Sequence, residues 1–382
     1  MTPVPSPVEK RPHSFLRRMR GLWLPLLAVL LAGLGFLATR LAPGHEAFIE
    51  TVYSRGLYRL WAMPISAVTS LLSFSLAEAV VLSSPLWLGI VIWRVIRRWR
   101  RRGAKAWVAT ARAAVAVLGI AAALFAAFSL GWALNYSRQP YAAIAGLPVA
   151  PRAPDELYKL CVTLTNQAND LRETLPEDQN GVFSADASAM RRGIADAYRL
   201  AAQDAPWLGG WYGGGIKPLL LSRGMSWAGI SGIFAPVTFE ANINADEPPL
   251  LAAASAAHEQ AHLRGFARED EANYIAVIVC RASPDAAIAY SGAMLALIHA
   301  GNALSSADAD AYGEVCALRS PALQRDLAAY NAYWRAFEGP VREVQAQVND
   351  AYLKSYHQDD GVRSYGRMVD LLLAEQRLNM LE

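Results

Sequence analysis

The stretch AHEQAHLRGFAREDEAN, residues 257–273, decides how the rest of the chain is interpreted. It opens with the pattern His-Glu-x-x-His, formed by His258, Glu259 and His262. Residues four apart on a helix project from the same side, so both imidazoles can approach one zinc ion. Glu259 is then placed to act on water rather than to bind the metal. The alternative is a chance match on an alanine-rich helix.

A third metal ligand is expected shortly after this helix. Gly265 is well placed to end it, and a second helix is predicted over about 267–282. On that helix Glu269 and Asn273 share a face, whereas Glu271 lies roughly 160–200° around from Glu269, so both carboxylates cannot reach one metal. We favour Glu269 as the ligand, with Asn273 available to hydrogen-bond another ligand. The short connection leaves Glu271 open as the alternative.

The composition indicates a membrane portion joined to one sizeable soluble part. Of the 382 residues, 54% are hydrophobic and only 18% are charged, which suggests apolar segments beyond a normal core. The net charge of +3 is too small to suggest nucleic-acid binding. Cys161, Cys280 and Cys316 form no CxxC pair, so a thiolate zinc site is not indicated. They are interpreted as small buried residues, and a single disulfide among them stays open.

Three apolar segments are long enough to cross a bilayer, at about 21–39, 76–96 and 113–134. The positive-inside rule predicts that the basic N-terminus and the basic loop at 94–105 both face the cytoplasm. Because two crossings separate them, the third segment delivers the rest of the chain to the outer side. We therefore expect a three-helix transmembrane anchor over residues 1–138, followed by an extracytoplasmic domain close to the membrane.

The sequence between and after these segments carries several further expectations. Residues 42–75 are predicted to form an interfacial, amphipathic connection that partly dips into the lipid boundary. Trp132 and Tyr136 are expected to anchor the third segment at the membrane interface. The arginine-rich run at 94–105 is interpreted as a topology signal rather than a nucleic-acid patch. No later segment is expected to cross the membrane again.

The outer domain is predicted to be mostly helical with a small β element. Residues 139–154 have the composition of a linker, and the zinc-site domain is expected over 155–382. The best strand is 236–244; if it lies at a sheet edge it could pair with an extended peptide, and a plain hairpin packed on helices is the alternative. A polar segment near the C-terminus could fold back and stabilise an oxyanion through His357, Arg363 or Tyr365.

Two more features bear on the site. The glycine-rich, aromatic stretch 206–235 is interpreted as an irregular loop that could form a wall of the site, since it lacks the ending of a phosphate-binding loop. His299 lies on an apolar helix and is interpreted as a packed histidine rather than a ligand.

The pattern His-Glu-x-x-His followed by Glu-x-x-Ala-Asn resembles the gluzincin clan of zinc metallopeptidases. Within that clan it is most similar to the membrane peptidases of the CaaX prenyl protease type and to the ImmA/IrrE-type regulators. The resemblance implies a zincin-like core in which His258, His262 and Glu269 bind Zn²⁺. The whole chain resembles an uncharacterised bacterial family of multi-pass membrane proteins classed as a domain of unknown function. The short sequence motifs that carry this resemblance are YSRG at 53–56, NYSR at 135–138, KP at 217–218, GFAREDEAN at 265–273 and NDAYLK at 349–354.

Together these observations predict a mainly α protein of the bacterial cytoplasmic membrane that acts as a zinc metallopeptidase on a peptide or protein substrate. Glu259 would be the general base, with Tyr365 or His357 at the oxyanion. The alternative is a non-catalytic membrane protein in which the metal only stabilises the fold of the outer domain, and this domain binds a partner. Hydrolysis of another bond, such as an envelope amide, is a third reading. The substrate and the oligomeric state are not specified by the sequence.

Overall fold

The protein, seen in a computed structural model, is mainly helical with one small sheet, as predicted. The structure describes residues 23–356, 358 and 367–379. They form two compact units. The first contains the chain up to Leu41 together with Ser83–Gly131, and the second contains Ala42–Leu82 together with Trp132–Glu382.

The helices in chain order are α1 (Trp23–Leu41), α2 (Tyr58–Thr69), α3 (Leu76–Arg102), α4 (Trp107–Gly131), α5 (Tyr141–Ala145), α6 (Pro154–Arg172), α7 (Ala187–Asp204), α8 (Ser222–Ala228), α9 (Ala252–Leu263), α10 (Glu269–Arg281), α11 (Ala286–Ala307), α12 (Ala309–Ala317), α13 (Pro321–Arg335), α14 (Pro340–Ser355) and α15 (Met368–Asn379). A short helix, Glu46–Phe48, and a π-helix, Ile49–Leu57, precede α2. Short 3₁₀ turns connect other elements; they are Gly103–Ala106, Ala133–Ser137, Pro206–Leu208 and Pro249–Leu251. The strands are β1 (Ile216–Pro218), β2 (Gly232–Ala235) and β3 (Glu240–Ile243).

Four helices in the described residues are long and apolar enough to cross a membrane. The apolar windows of α1, α3 and α4 have mean hydropathies of 2.0, 1.9 and 2.4 and are at most 17% buried. The fourth helix, α11, has a mean hydropathy of 1.3, and its window is 72% buried. The expectation that no later segment has the length and hydropathy of a span was therefore wrong. Burial explains why: α11 is apolar because protein surrounds it.

Within the first unit, α1 and α4 approach each other closely at glycines. A Cβ atom on Gly119 would lie 2.9 Å from the Pro25 Cβ, and one on Gly35 would collide with Ser129. Small residues at such contacts are typical of helix pairs in membranes, where close backbone approach supplies van der Waals attraction. The outward faces of both helices carry exposed leucines, valines and phenylalanines. This arrangement is consistent with contact to a lipid bilayer.

The core of the second unit lies around α9, α10 and α11, with α6 and α7 packed outside them. α9 can occupy the centre because six of its buried residues are alanines; these are Ala252, Ala253, Ala254, Ala256, Ala257 and Ala261. Short side chains let neighbouring helices and β3 approach the α9 backbone. Cys161, Cys280 and Cys316 are all free, and the first two are buried in or beside this core.

The three strands form one sheet in the order β1-β3-β2. β1 pairs with β3 in parallel, and β2 pairs with β3 antiparallel, with Phe234 opposite Ala241. The predicted strand at 236–244 corresponds to β3, whereas its first residues form the turn between β2 and β3. The stretch 206–235, expected to be an irregular loop, contains β1, α8 and β2. Short strands in a glycine-rich segment give little periodic signal, which is why they were missed.

Residues 42–75, which were expected to form a connection at the membrane interface, pack on one side into the second unit, and the chain belongs to this unit as far as Leu82. The Tyr58 hydroxyl donates to the Leu263 carbonyl at 2.8 Å. Arg138 donates to the buried Glu50 carboxylate at 2.5 Å. The Glu240 carboxylate accepts hydrogen bonds from the backbone N–H groups of Leu76 and Ala77 at 3.0 and 2.9 Å, and so caps the start of α3. The second unit thus includes residues 42–82, which come before most of α3 and all of α4 in the chain.

Residues 132–154 also differ from expectation, both as membrane anchor and as linker. Trp132 is buried in the second unit, where its indole N–H donates to the His262 carbonyl at 3.3 Å. α5 lies within the expected linker, and its Tyr141 is buried against Phe266 and Tyr274. Composition alone could not reveal these contacts, because they join positions more than a hundred residues apart in the sequence.

Candidate metal centre

The connection between α9 and α10 brings the predicted ligands together. α9 ends at Leu263, two residues before Gly265, whose φ of 80° is in the left-handed region that favours glycine just after a helix end. The Phe266 N–H then donates to the Ala261 carbonyl at 3.1 Å, which closes the helix end. α10 begins at Glu269, so its first turn faces the last turn of α9. A tight turn therefore places Glu269 beside both histidines.

His258, His262 and Glu269 form one cluster, with a donor atom from each lying within 4.8 Å of the others. The Glu269 Oε2 lies 3.1 Å from the His258 Nε2 and 3.6 Å from the His262 Nε2. The two imidazole rings are nearly perpendicular, at 89°, with centroids 4.7 Å apart. Two imidazole nitrogens and one carboxylate oxygen that converge in this way could hold a metal ion, and zinc accepts this donor set.

The far side of each imidazole is held by a hydrogen bond. The His258 Nδ1 lies 2.8 Å from the Asn273 Oδ1, and the His262 Nδ1 lies 2.7 Å from the Phe266 carbonyl oxygen. Since both partners are acceptors, the Nδ1 of each imidazole is the donor in these bonds, which leaves the Nε2 as the nitrogen that faces the cluster. Such outer partners fix ring orientation and tautomer at metal sites. Asn273 was anticipated in this role, whereas the Phe266 carbonyl carries no sequence signal.

Glu271 takes a different position, which decides between the two carboxylates. Its Oε1 accepts a hydrogen bond from the Tyr141 N–H at 2.8 Å and another from Arg268 at 3.0 Å. The carboxylate therefore holds α5 against α10. The angular argument from helix geometry had correctly separated it from Glu269, and the geometry leaves Glu269 as the carboxylate of the cluster.

Glu259 lies beside the cluster and is only 5% exposed. Its Oε2 has no hydrogen-bond partner among the described residues. Burial raises the pKa of Glu259, and the nearby imidazoles of His258 and His262 oppose that rise. The carboxylate is thus set apart from the three converging donors, and one of its oxygens is left available.

Gly232, at the start of β2, has no side chain, and the Glu259 carboxylate occupies the space that a side chain would fill. A Cβ atom on Gly232 would lie only 2.5 Å from the Glu259 Oε1. The neighbouring Phe234 backbone N–H also bonds the Glu259 carboxylate and lowers its pKa. Sequence reasoning did not single out Gly232, because a glycine within a glycine-rich segment does not reveal which side chain approaches it.

Charge within the cluster favours a cation at its centre. Burial alone would lower the pKa of His262, but the Glu269 carboxylate raises it to about 9. Burial alone would raise the pKa of Glu269, but the His262 and His258 imidazoles hold it well below its usual range. The buried Glu269 carboxylate therefore stabilises positive charge at the His262 imidazole, beside the position where a metal would sit.

The cluster opens into a cavity of about 730 Å³. β2, α9, α10, α11, α13, α14 and the segment around Trp132 form its walls; the lining includes Trp132, Tyr136, Ser231, Ile233, Phe234, Ser255, Leu295, Ile298, His299, Tyr330, Arg342, Asn349 and Tyr352. The stretch 206–235 was expected to form a wall of the site, and its last residues, from Ala228 to Phe234, do line the cavity. A cavity of this size can admit several residues of an extended peptide or a small ligand.

The residues predicted to stabilise an oxyanion cannot be compared with this cavity. His357, Arg363 and Tyr365 lie outside the described residues. Among those described, Tyr136 and Tyr352 line the cavity and their hydroxyls are 3.1 Å apart. Tyr136 was expected at the membrane interface instead. His299 also lines the cavity, and burial together with the nearby His258 lowers its pKa to about 4; its interpretation as a packed neutral histidine agrees with this environment.

Comparison with known proteins adds a family. A family model described as a protein of unknown function, DUF3810, matches residues 53–373. The matched range runs from the π-helix before α2 to α15 and includes the whole cluster. The comparisons with curated proteins and with solved structures gave no match.

Proposed function

The chain belongs to the DUF3810 family of proteins of unknown function, and we propose from its candidate metal centre that it is a membrane-anchored zinc metallopeptidase. The observation that carries the proposal is the convergence of the His258 Nε2, the His262 Nε2 and the Glu269 Oε2. The opposite nitrogen of each imidazole is already engaged, so all three donors are oriented for one ion. Zinc fits this set of two nitrogens and one oxygen.

A bound zinc ion supplies Lewis acidity, which polarises a carbonyl and makes water a stronger acid. Peptide hydrolysis adds water across the C–N bond, so one proton must travel from water to the leaving amine. We assign this transfer to Glu259, whose carboxylate accepts the proton from water and then delivers it to the amine nitrogen. Its free Oε2 and its raised pKa suit both steps, because the base must also be able to act as an acid.

An extended peptide is the substrate class that the cavity wall favours. β2 pairs with β3 along one edge, and residues of β2 line the cavity beside Glu259. The other edge of a strand can add the backbone of an extended chain through main-chain hydrogen bonds. We place the scissile bond next to Glu259 and assign the oxyanion to the hydroxyl groups of Tyr136 and Tyr352, which line the same cavity.

The proposed location is the bacterial cytoplasmic membrane, with the N-terminus in the cytoplasm and the site outside it. The basic run at 94–105, which forms the last turns of α3 and the start of the 3₁₀ turn before α4, favours a cytoplasmic position for this end of α3. Residues 42–82 and 132–382 form one unit and must therefore lie on the same side. This requires an even number of crossings between them, which α3 and α4 supply.

The alternative, a non-catalytic domain stapled by a metal, is less well supported. A purely structural zinc site normally has four protein ligands, whereas the described residues bring three donors together. A structural site would also leave the buried, partly unpaired carboxylate of Glu259 without a role. Hydrolysis of another amide in the cell envelope shares the same chemistry and differs only in the substrate.

The direct test uses the purified full-length protein, because a fragment that began at residue 139 would lack Tyr58 and Glu50 from the folded unit. We expect the zinc-loaded protein to cleave members of a fluorogenic peptide library. A chelator should abolish cleavage, and one equivalent of Zn²⁺ should restore it. Cleavage that survives complete removal of the metal would exclude the proposal, and the absence of any cleavage by the zinc-loaded protein would favour the non-catalytic alternative.

Gly232 provides a second test. We expect Gly232→Ala to leave zinc content unchanged and to lower the rate of peptide cleavage roughly tenfold to a hundredfold, because the added methyl group displaces the Glu259 carboxylate. Gly224→Ala is the matched control: a Cβ atom there has nothing within 4 Å, so its activity should equal that of the wild type. Equal activity of the two variants would show that the position of Glu259 does not matter.

A further inference from the structure

α2 is apolar on the side that faces away from the second unit as well as on the side that packs into it. Its buried side includes Tyr58, Ala62 and Ser66. The opposite side carries apolar residues spaced three or four apart, which share one face of a helix. This outer stripe consists of Leu60, Pro64 and Val68 on α2, with Leu57 just before the helix and Leu71 just after it. Leu60, Val68 and Leu71 are 71%, 65% and 83% exposed. A surface helix in water normally carries polar residues on its outer face.

The chain around the outer stripe is also unusually free of charge. No charged residue occurs between Arg59 and Glu78. α2 has only 12 residues, so it is about 18 Å long and cannot cross a hydrocarbon core of about 30 Å. A short apolar helix that is covered by protein on one side and lacks charge on the other is suited to lie along a lipid surface.

The helices that flank α2 in the sequence indicate that lipid contacts its exposed outer stripe. α1, which ends at Leu41, and α3, which begins at Leu76, are both apolar enough to cross a membrane. The stripe residue Leu71 lies shortly before α3 in the chain. A segment tethered at both ends by spanning helices is held at the membrane surface by connectivity alone. A second copy or another protein would have to compete for this face with the bilayer that the chain already enters.

A second exposed apolar site lies at the beginning of α3. The Glu78 carboxylate accepts hydrogen bonds from the backbone N–H groups of Leu220 and Leu221, at 3.0 and 2.8 Å. Leu220 is 85% exposed and Leu221 is 47% exposed. The bonds to Glu78 hold this leucine pair beside the first turn of a helix that continues into an apolar span. The pair extends the apolar surface of the outer stripe.

We infer that the outer stripe of α2, together with Leu220 and Leu221, rests in the interface of the lipid bilayer. The inner side of α2 holds the end of α9, since the Tyr58 hydroxyl bonds the carbonyl of Leu263, the residue after His262. The helix that carries His258 and His262 is then held directly against the inner side of a helix whose outer side touches lipid. On the proposed function this selects a substrate class: extended segments that immediately flank a membrane anchor, or peptides that carry a lipid.

Lipid contact is tested without any assay of activity. Full-length protein with Cys316→Ser, which removes the one cysteine that is not buried, receives a single cysteine at Leu60, Leu71 or Ser306. Each variant is labelled with a small fluorophore and placed in nanodiscs of phosphatidylcholine and phosphatidylglycerol. Quenching is measured with spin-labelled acyl chains and, separately, with iodide in solution. Ser306 is an exposed position on α11 and serves as the aqueous reference.

We expect quenching by the acyl-chain label to be several-fold stronger at Leu60→Cys and Leu71→Cys than at Ser306→Cys, and quenching by iodide to show the reverse order. Equal behaviour at all three positions would overturn the inference. Protection of the stripe positions from both quenchers would also overturn it, since a second copy or another protein would then be the cover.

The substrate class has its own test once the peptide library has given a cleaved sequence. That sequence is placed in two reporters, one soluble and one joined by a short linker to a membrane-spanning helix. We expect cleavage of the tethered reporter to be faster, on the order of tenfold, because tethering raises its effective concentration at the site. Equal or slower cleavage of the tethered reporter would overturn the substrate class. Failure to cleave either reporter would count against the peptidase proposal and leave the quenching result standing.

Discussion

Replacement of Glu269 by alanine is expected to lower the zinc content of the full-length protein from about one ion per chain to nearly none. The Glu269 Oε2 is the oxygen that faces both imidazole Nε2 atoms, so its loss leaves only two donors. Two imidazoles without the carboxylate also lose the negative charge that stabilises a cation between them. Zinc is measured by elemental analysis after exchange into metal-free buffer.

Glu271→Ala is the matched control for that experiment. It removes the same carboxylate two residues later on the same helix, but that carboxylate bonds Tyr141 and Arg268 rather than the cluster. We expect this variant to retain its zinc and to unfold at a lower temperature, because the Tyr141 N–H would be left buried without its acceptor. Equal zinc content in both variants would contradict the ligand assignment, and loss of zinc only in Glu271→Ala would transfer it to Glu271.

Replacement of Glu259 by glutamine is expected to have the second large effect, on cleavage rather than on metal binding. The amide has nearly the shape of the carboxylate and fits the same space beside Gly232. It cannot accept a proton from water, so the rate of peptide cleavage should fall by roughly 10²–10⁴, the usual contribution of a general base. Zinc content and thermal stability should match those of the wild type.

The same variant identifies the substrate, because a zinc-loaded protein without its base can bind peptides but does not cleave them. Peptides retained by Glu259→Gln and absent from Glu269→Ala would be the candidates. If Glu259→Gln cleaves library peptides at the wild-type rate, Glu259 is not the base. A structural role for its buried carboxylate would then have to be considered, and the instability of Glu259→Ala relative to Glu259→Gln would measure that role.

The local features of the site were accessible from sequence because they depend on positions close together in the chain. The four-residue step from His258 to His262, the helix end at Gly265 and the shared face of Glu269 and Asn273 all follow from helix geometry. The same geometry set Glu271 on the other side of α10. Each of these relations spans fewer than twenty residues, so no knowledge of the tertiary fold was required.

The partners that complete the site could not be anticipated in this way. Gly232 reaches Glu259 from a separate strand, and the Trp132 indole N–H bonds the His262 carbonyl. Neither contact leaves a periodic pattern or a motif in the sequence. Trp132 in particular has the composition-based signature of a membrane-interface residue, which describes its neighbours in the chain rather than its neighbours in space.

The sequence by itself determined that this protein has apolar helices fit for a membrane, a mainly helical remainder, and two histidines and a glutamate in a pattern suited to one metal ion. Helical periodicity and hydropathy are local properties, so the chain displays them directly. Only the tertiary structure decided that residues 42–82 belong to the unit that carries the site and that α11 is enclosed by protein. Both depend on which surfaces are buried against each other, and burial is fixed by contacts between distant parts of the chain.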